Sequence, residues 1–209
     1  MDLKEKLFDK MHNILHKRTI PTVIDVKKDR IMQRIIEKLQ ANGFVGKKIK
    51  MLINDESSEY DFYFMYKIVK KSTFFSVGAI EMYLFSEVQY ITEDLYTEFA
   101  EYNFFDVHEE LEKDIKNYRH KNYREGLIFV CNINQENEFS DKYIYESLYD
   151  YATATALLPV CIIEKKGEIM ITTTKTLSGD VLYKGLKKDF ESLVKDLIDE
   201  GNDNNERNC

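Results

Sequence analysis

KKIKMLIND (Lys47–Asp55), EYDFYFMYKIVKK (Glu59–Lys71) and STFFSVGAIEMYLFSEV (Ser72–Val88), closed by GLIFVCNI (Gly126–Ile133), decide the fold of this chain. In the first segment polar and apolar residues alternate from Lys48 to Met51, the two-residue period of a half-buried strand. The second and third are dense in aromatic and β-branched residues, which fit a pleated surface. Asp55–Ser58 and Lys70–Thr73 are polar breaks where turns are expected, and Gly78 is a candidate bulge. The fourth segment is a short continuous apolar run, as in a strand covered on both faces.

Between the third and fourth segments the period changes. Leu95 and Phe99, then Val107, Leu111, Ile115 and Tyr118, are spaced as on one helical face. Asn103–Asp106 divides this region into two expected helices, with Asp106 as an N-cap. Ahead of the strands, Leu3, Leu7, Met11, Ile14 and Leu15 form the stripe of an amphipathic helix over Asp2–His16. Lys17–Thr22, with Pro21, reads as a connector. A second helix is expected with Asp25 as its cap, with Ile31, Ile35, Ile36 and Leu39 inward, and with Asn42-Gly43 as its stop. After Ile133 come a polar loop (Asn134–Asp141), a helix over Lys142–Ala156, and a buried run Leu158–Ile163. A tight turn at Lys165-Lys166-Gly167 and a return strand Glu168–Thr174 follow. Lys184–Glu200 is the clearest helix, with Leu186, Phe190, Leu193, Val194, Leu197 and Ile198 on one face. The expected fold class is therefore α/β, a mixed central sheet with helices on both faces. Residues 1–200 form one domain with a basic helical layer at 1–43, and residues 201–209 form a disordered tail.

Composition narrows the function classes. The chain has 209 residues, of which 44% are hydrophobic, enough for a full core. No apolar run has the length of a membrane span, and MDLKEKLFDK lacks the apolar centre of a secretory signal, so a cytoplasmic location without membrane contact is expected. Cys131, Cys161 and Cys209 are odd in number and far apart, which points to reduced thiols. His12, His16, His108 and His120 have no cysteine at metal-ligand spacing. The first 50 residues hold 13 Lys+Arg against 6 Asp+Glu, a local charge of +7 in a chain of net −7, so the other 159 residues carry −14. Such asymmetry suits either a nucleic-acid face or a basic layer lying on an acidic body. A second basic cluster (Lys113, Lys116, Arg119, His120, Lys121, Arg124) reads as an exposed helix end.

The order helix, three strands, helical region, strand resembles the αβββαβ core of the restriction-endonuclease-like, or PD-(D/E)xK, superfamily, over roughly residues 27–163. REGLIFVCNINQENEFSDKYIYESLYDYATATALLPVCII extends the likeness, with a buried strand, polar loop, helix and apolar strand. The resemblance implies a metal-dependent nuclease. Asp61, at the start of the second strand, and Glu81, in the third, are its expected catalytic and metal-binding carboxylates, holding Mg²⁺ to polarise a phosphate and activate water. The family's lysine position is occupied by Tyr83, which carries no positive charge. A borrowed lysine would be Lys67 or Lys113, and without one the chain is a degenerate, non-cleaving member. The literal acid-x-Lys string Glu164-Lys165-Lys166 reads as a solvated turn, because the nearest upstream acid, Asp150, falls on an expected helix. The resemblance implies DNA or RNA as partner, through the basic N-terminal layer.

Two other readings compete. The second half is similar to a thioredoxin-like fold, with Pro159 at that family's cis-proline position but without its Cys-x-x-Cys pair. A non-enzymatic regulator or assembly subunit, bound to a protein partner or to a second copy, would use some of the 14 Tyr and 13 Phe as interface anchors.

Overall fold

A computed structural model describes residues 22–26, 30–53, 58–69, 78–96, 105–118, 123–140, 155–171 and 181–199. The helix expected over Asp2–His16, most of the helix over Lys142–Ala156, and the tail lie outside these residues. The described elements are β1 (Thr22–Asp25), α1 (Ile31–Ala41), β2 (Val45–Ile53), β3 (Ser58–Val69), β4 (Gly78–Val88), α2 (Phe105–Asp114), β5 (Tyr123–Ile133), β6 (Thr155–Ile163), β7 (Glu168–Ile171) and α3 (Val181–Asp199).

All seven described strands join one sheet in the order β1-β7-β6-β5-β4-β3-β2. β2, β3 and β4 form an antiparallel meander. β4, β5 and β6 run parallel, and β7 and β1 return antiparallel. The chain is thus α/β with a mixed sheet.

Strand alternation divides the core in two. Phe62, Phe64, Ile80, Met82, Leu84, Leu127 and Phe129 face α2, which contributes Val107 and Leu111. Met65, Tyr83, Phe85, Ile128, Val130 and Val160 face α1 and α3. The α1 stripe is the expected one, since Ile31, Ile35, Ile36 and Leu39 are all buried, each worth about 1.5–3 kcal/mol relative to exposure. Leu186, Phe190, Leu193 and Val194 do the same for α3. α3 comes close because β5 carries Gly126, where an added Cβ would lie 2.7 Å from the Leu186 methyl groups.

Three local expectations are corrected. Asp25 does not cap α1. It ends β1, whose backbone is paired with β7, and Arg30 stands at the helix start with φ 59° and no side-chain cap. A distant partner strand supplies the hydrogen bonds that a local reading assigned to a cap. β6 begins at Thr155, ahead of the apolar run, because β5 offers a parallel partner from Glu125 onward. Pro159 is trans, against the thioredoxin-like expectation. It pairs with β5 at Phe129, and the β7 ladder starts only at Val160. Its missing N–H is therefore not required on the β7 side.

The turn at residues 164–167 forms as expected. Gly167 takes φ 68°, and its N–H donates to the Glu164 carbonyl at 3.0 Å. A Cβ there would meet the Val26 carbonyl oxygen at 2.6 Å. Among the described residues no helix is long and apolar enough to cross a membrane.

Candidate functional site

Asp61 and Glu81 do not come together. Both lie on the α1–α3 side of the sheet, by alternation with Tyr63 and Met65 in β3 and with Tyr83 and Phe85 in β4. In the β3–β4 ladder, however, Glu81 stands opposite Lys67, six residues along β3 from Asp61. At about 3.3 Å per residue that is roughly 20 Å, far beyond the reach of one metal ion. As a shared Mg²⁺ pair the two carboxylates do not fit. The hairpin register excludes the pairing, which spacing along the chain alone left open.

Tyr83, at the motif's lysine position, is a core residue. Its ring lies edge-on to Phe44 (centroids 5.4 Å apart) and stacks on Phe85 (5.9 Å). Burial, with Glu81 and Asp189 nearby, pushes its phenol well above the usual range, so it stays neutral. Neither borrowed lysine reaches Asp61. Lys67 Nζ donates to the Asn42 carbonyl at 2.6 Å, at the end of α1, and lies over the Phe44 ring. Lys113 pairs with Glu110 on α2, on the other face.

The register brings a different set to Asp61. Lys50 is its direct partner on β2. Lys50 Nζ donates to Glu59 Oε2 at 3.0 Å, and Glu59 first, then the charge of Asp61, holds the ammonium above its ordinary pKa. On the other side, the β3–β4 ladder stops at Tyr63–Phe85, so Asp61 lies two residues beyond its end, as Glu87 does on β4. β4 remains paired with β5 to its end, with Glu87 beside Asn132. Lys50, Asp61 and Glu87 are exposed, while Asn132 is buried. The pairs Lys50–Asp61 and Glu87–Asn132 thus share one face and one end of the sheet, beyond the point where hydrogen bonding between β3 and β4 ends. They also lie near the carboxyl ends of the parallel strands β4 and β5, the edge at which open α/β sheets take ligands.

Carboxylates and an amide carbonyl are hard oxygen donors suited to Mg²⁺, which needs only one or two protein carboxylates when substrate phosphate completes its shell. Among the described residues no three His, Cys, Asp and Glu side chains converge as a metal set. Glu87 escaped the sequence reading because it is no part of an acid-x-Lys string. Its signal was parity, since Glu81, Tyr83, Phe85 and Glu87 alternate onto one face.

The remaining expected residues are accounted for briefly. Cys131 and Cys161 are buried and stand side by side in the β5–β6 ladder. Cys209, His12, His16, His120, Arg119, Lys121 and Asp150 lie outside the described residues. Lys166, in the turn, pairs with Glu136. Comparison of the chain with family models, with curated proteins and with solved structures finds no match.

Proposed function

We propose that this chain is a nucleic-acid-processing or defence protein with a restriction-endonuclease-like core, its site centred on Asp61 and Glu87 with Lys50 as the neighbouring cation. One observation carries the reading. The element order α1, β2, β3, β4, α2, β5 sets two exposed carboxylates where the pairing of β3 and β4 stops. Asp61 and Glu87 are the residues that would hold Mg²⁺, with the Asn132 amide beside them. The ion, when bound, supplies charge to a phosphate and acidifies its water. Lys50 takes the electrostatic part that the buried Tyr83 cannot. The substrate class is DNA or RNA.

A second reading is favoured by Tyr83 itself. A neutral ring locked between Phe44 and Phe85 is what a non-cleaving member, or a protein-binding regulator, would tolerate at that position. Cleavage of single- and double-stranded DNA and RNA with Mg²⁺ and Mn²⁺ separates the two. Cleavage abolished by Asp61→Ala and by Glu87→Ala but kept by Glu81→Ala supports the first. No cleavage by folded protein favours the second, and binding of the same nucleic acids, or a copurifying protein, then identifies the partner.

A further inference from the structure

Glu125, the third residue of β5, lies on the α2 side of the sheet, opposite Ile80 of β4. Its carboxylate is engaged on both oxygens. His108 Nε2, from α2, lies 3.0 Å from Oε2, and the Tyr118 hydroxyl donates to Oε1. Tyr118 is aimed there by the turn that ends the α2 segment. Asn117 adopts φ 61°, a left-handed conformation that asparagine tolerates, and the Tyr118 N–H donates to the Ile115 carbonyl at 3.1 Å. Tyr123 stacks on the Tyr118 ring at 6.2 Å. The side chains of Glu125 and His108 are 16% and 33% exposed, so the carboxylate is sheltered while the imidazole is open to solvent.

We propose that His108, Glu125 and Tyr118 form a metal site for a borderline divalent ion of the Zn²⁺ class. The donors are one imidazole nitrogen, one carboxylate and one phenolate oxygen, the Tyr118 proton being released to solvent as the ion binds, with water completing the shell. Three observations carry this. The donor set is of the N/O type that suits Zn²⁺ better than Mg²⁺. The 3.0 Å between His108 Nε2 and Glu125 Oε2 is close to the roughly 3.3 Å between adjacent ligands of a tetrahedral ion with bonds of about 2.0–2.1 Å. The three residues come from a helix, a turn and a strand and converge on one carboxylate, so an ion would tie α2 to β5. The imidazole gives the ion its access. The site is independent of Asp61 and Glu87, since Glu87 lies on the other face and seven residues farther along β4 than Ile80, roughly 20 Å away.

The test is titration of the whole chain with Zn²⁺ alone by calorimetry, and with Co²⁺ alone by visible absorption. The expected result is one saturable equivalent with tetrahedral-type Co²⁺ bands that depends on His108, distinct from any ion held at Asp61 and Glu87. His108→Ala and Tyr118→Phe should each weaken binding at least about tenfold. Tyr118→Phe keeps the ring packing, so it reports on the ligand if Glu125→Ala fails to fold. Cys131→Ser and Cys161→Ser should leave the bands unchanged. Absence of saturable binding, or binding indifferent to His108→Ala and Tyr118→Phe, would overturn the proposal and leave the trio a hydrogen-bonded latch.

Discussion

Asp61 pairs with Lys50 across the β2–β3 ladder, and this fixes the end of the sheet that its carboxylate occupies. Glu87 lies at that end, and Glu81 does not. Asp61→Ala and Glu87→Ala should therefore act alike in any divalent-dependent cleavage or metal binding, and Glu81→Ala should behave as the parent. Asp61 and Glu87 are exposed, so neither change should move stability by more than about 0.5 kcal/mol. Equal loss of function in all three variants would count against the register argument.

Restoring the motif at its formal position should fail. Tyr83→Lys buries an unpaired ammonium among Phe44, Phe85 and Phe190, at a cost of about 3–5 kcal/mol. Tyr83→Phe keeps the stacking and should stay within about 1 kcal/mol. Urea unfolding of the two variants makes the comparison. A stable, metal-responsive Tyr83→Lys protein would refute this account of the site.

Lys47 ties β2 to α2, with Nζ 2.7 Å from Glu110 Oε2 and 2.6 Å from Asp114 Oδ2. Hydrogen bonds from Lys113 and Lys47 hold the Glu110 carboxyl below its ordinary range. A carboxylate lowered on folding contributes stability that is present above its unfolded pKa. That contribution is lost as pH falls through the folded value. Burial opposes the charge on Lys47, but Asp114 and Glu110 outweigh it and raise its pKa, so its share is lost only at strongly alkaline pH. Lys47→Met should cost about 1 kcal/mol near neutrality. It should also flatten the acid limb of a denaturation-midpoint profile below about pH 5. A limb as steep as the parent's would assign the acid sensitivity elsewhere.

Gly126 and Leu186 should be coupled. Gly126→Ala forces a methyl group against the end of Leu186 and should cost about 1–3 kcal/mol. Leu186→Ala alone should cost about 2–5 kcal/mol. The double variant should be more stable than the sum predicts, by about 0.5–3 kcal/mol. Additive losses would mean that α3 shifts without strain.

Sequence alone determined the α/β class, the inward stripes of α1 and α3, the strand character of Lys47–Ile53, Glu59–Val69 and Gly78–Val88, the turn at Gly167 and the neutrality of position 83. Each of these rests on a period, a composition or a backbone preference contained within a few neighbouring residues. Only the tertiary structure decided that β1 pairs with β7, that Asp25 ends a strand, and that Asp61 pairs with Lys50 at the end of the sheet where Glu87 lies. Only it joined His108, Tyr118 and Glu125. Pairing register is a long-range property, set by hydrogen bonding between segments that local patterns describe one at a time. A shift of six residues along a strand leaves the alternation of Asp61 and Glu81 intact, yet moves one carboxylate beyond reach of the other.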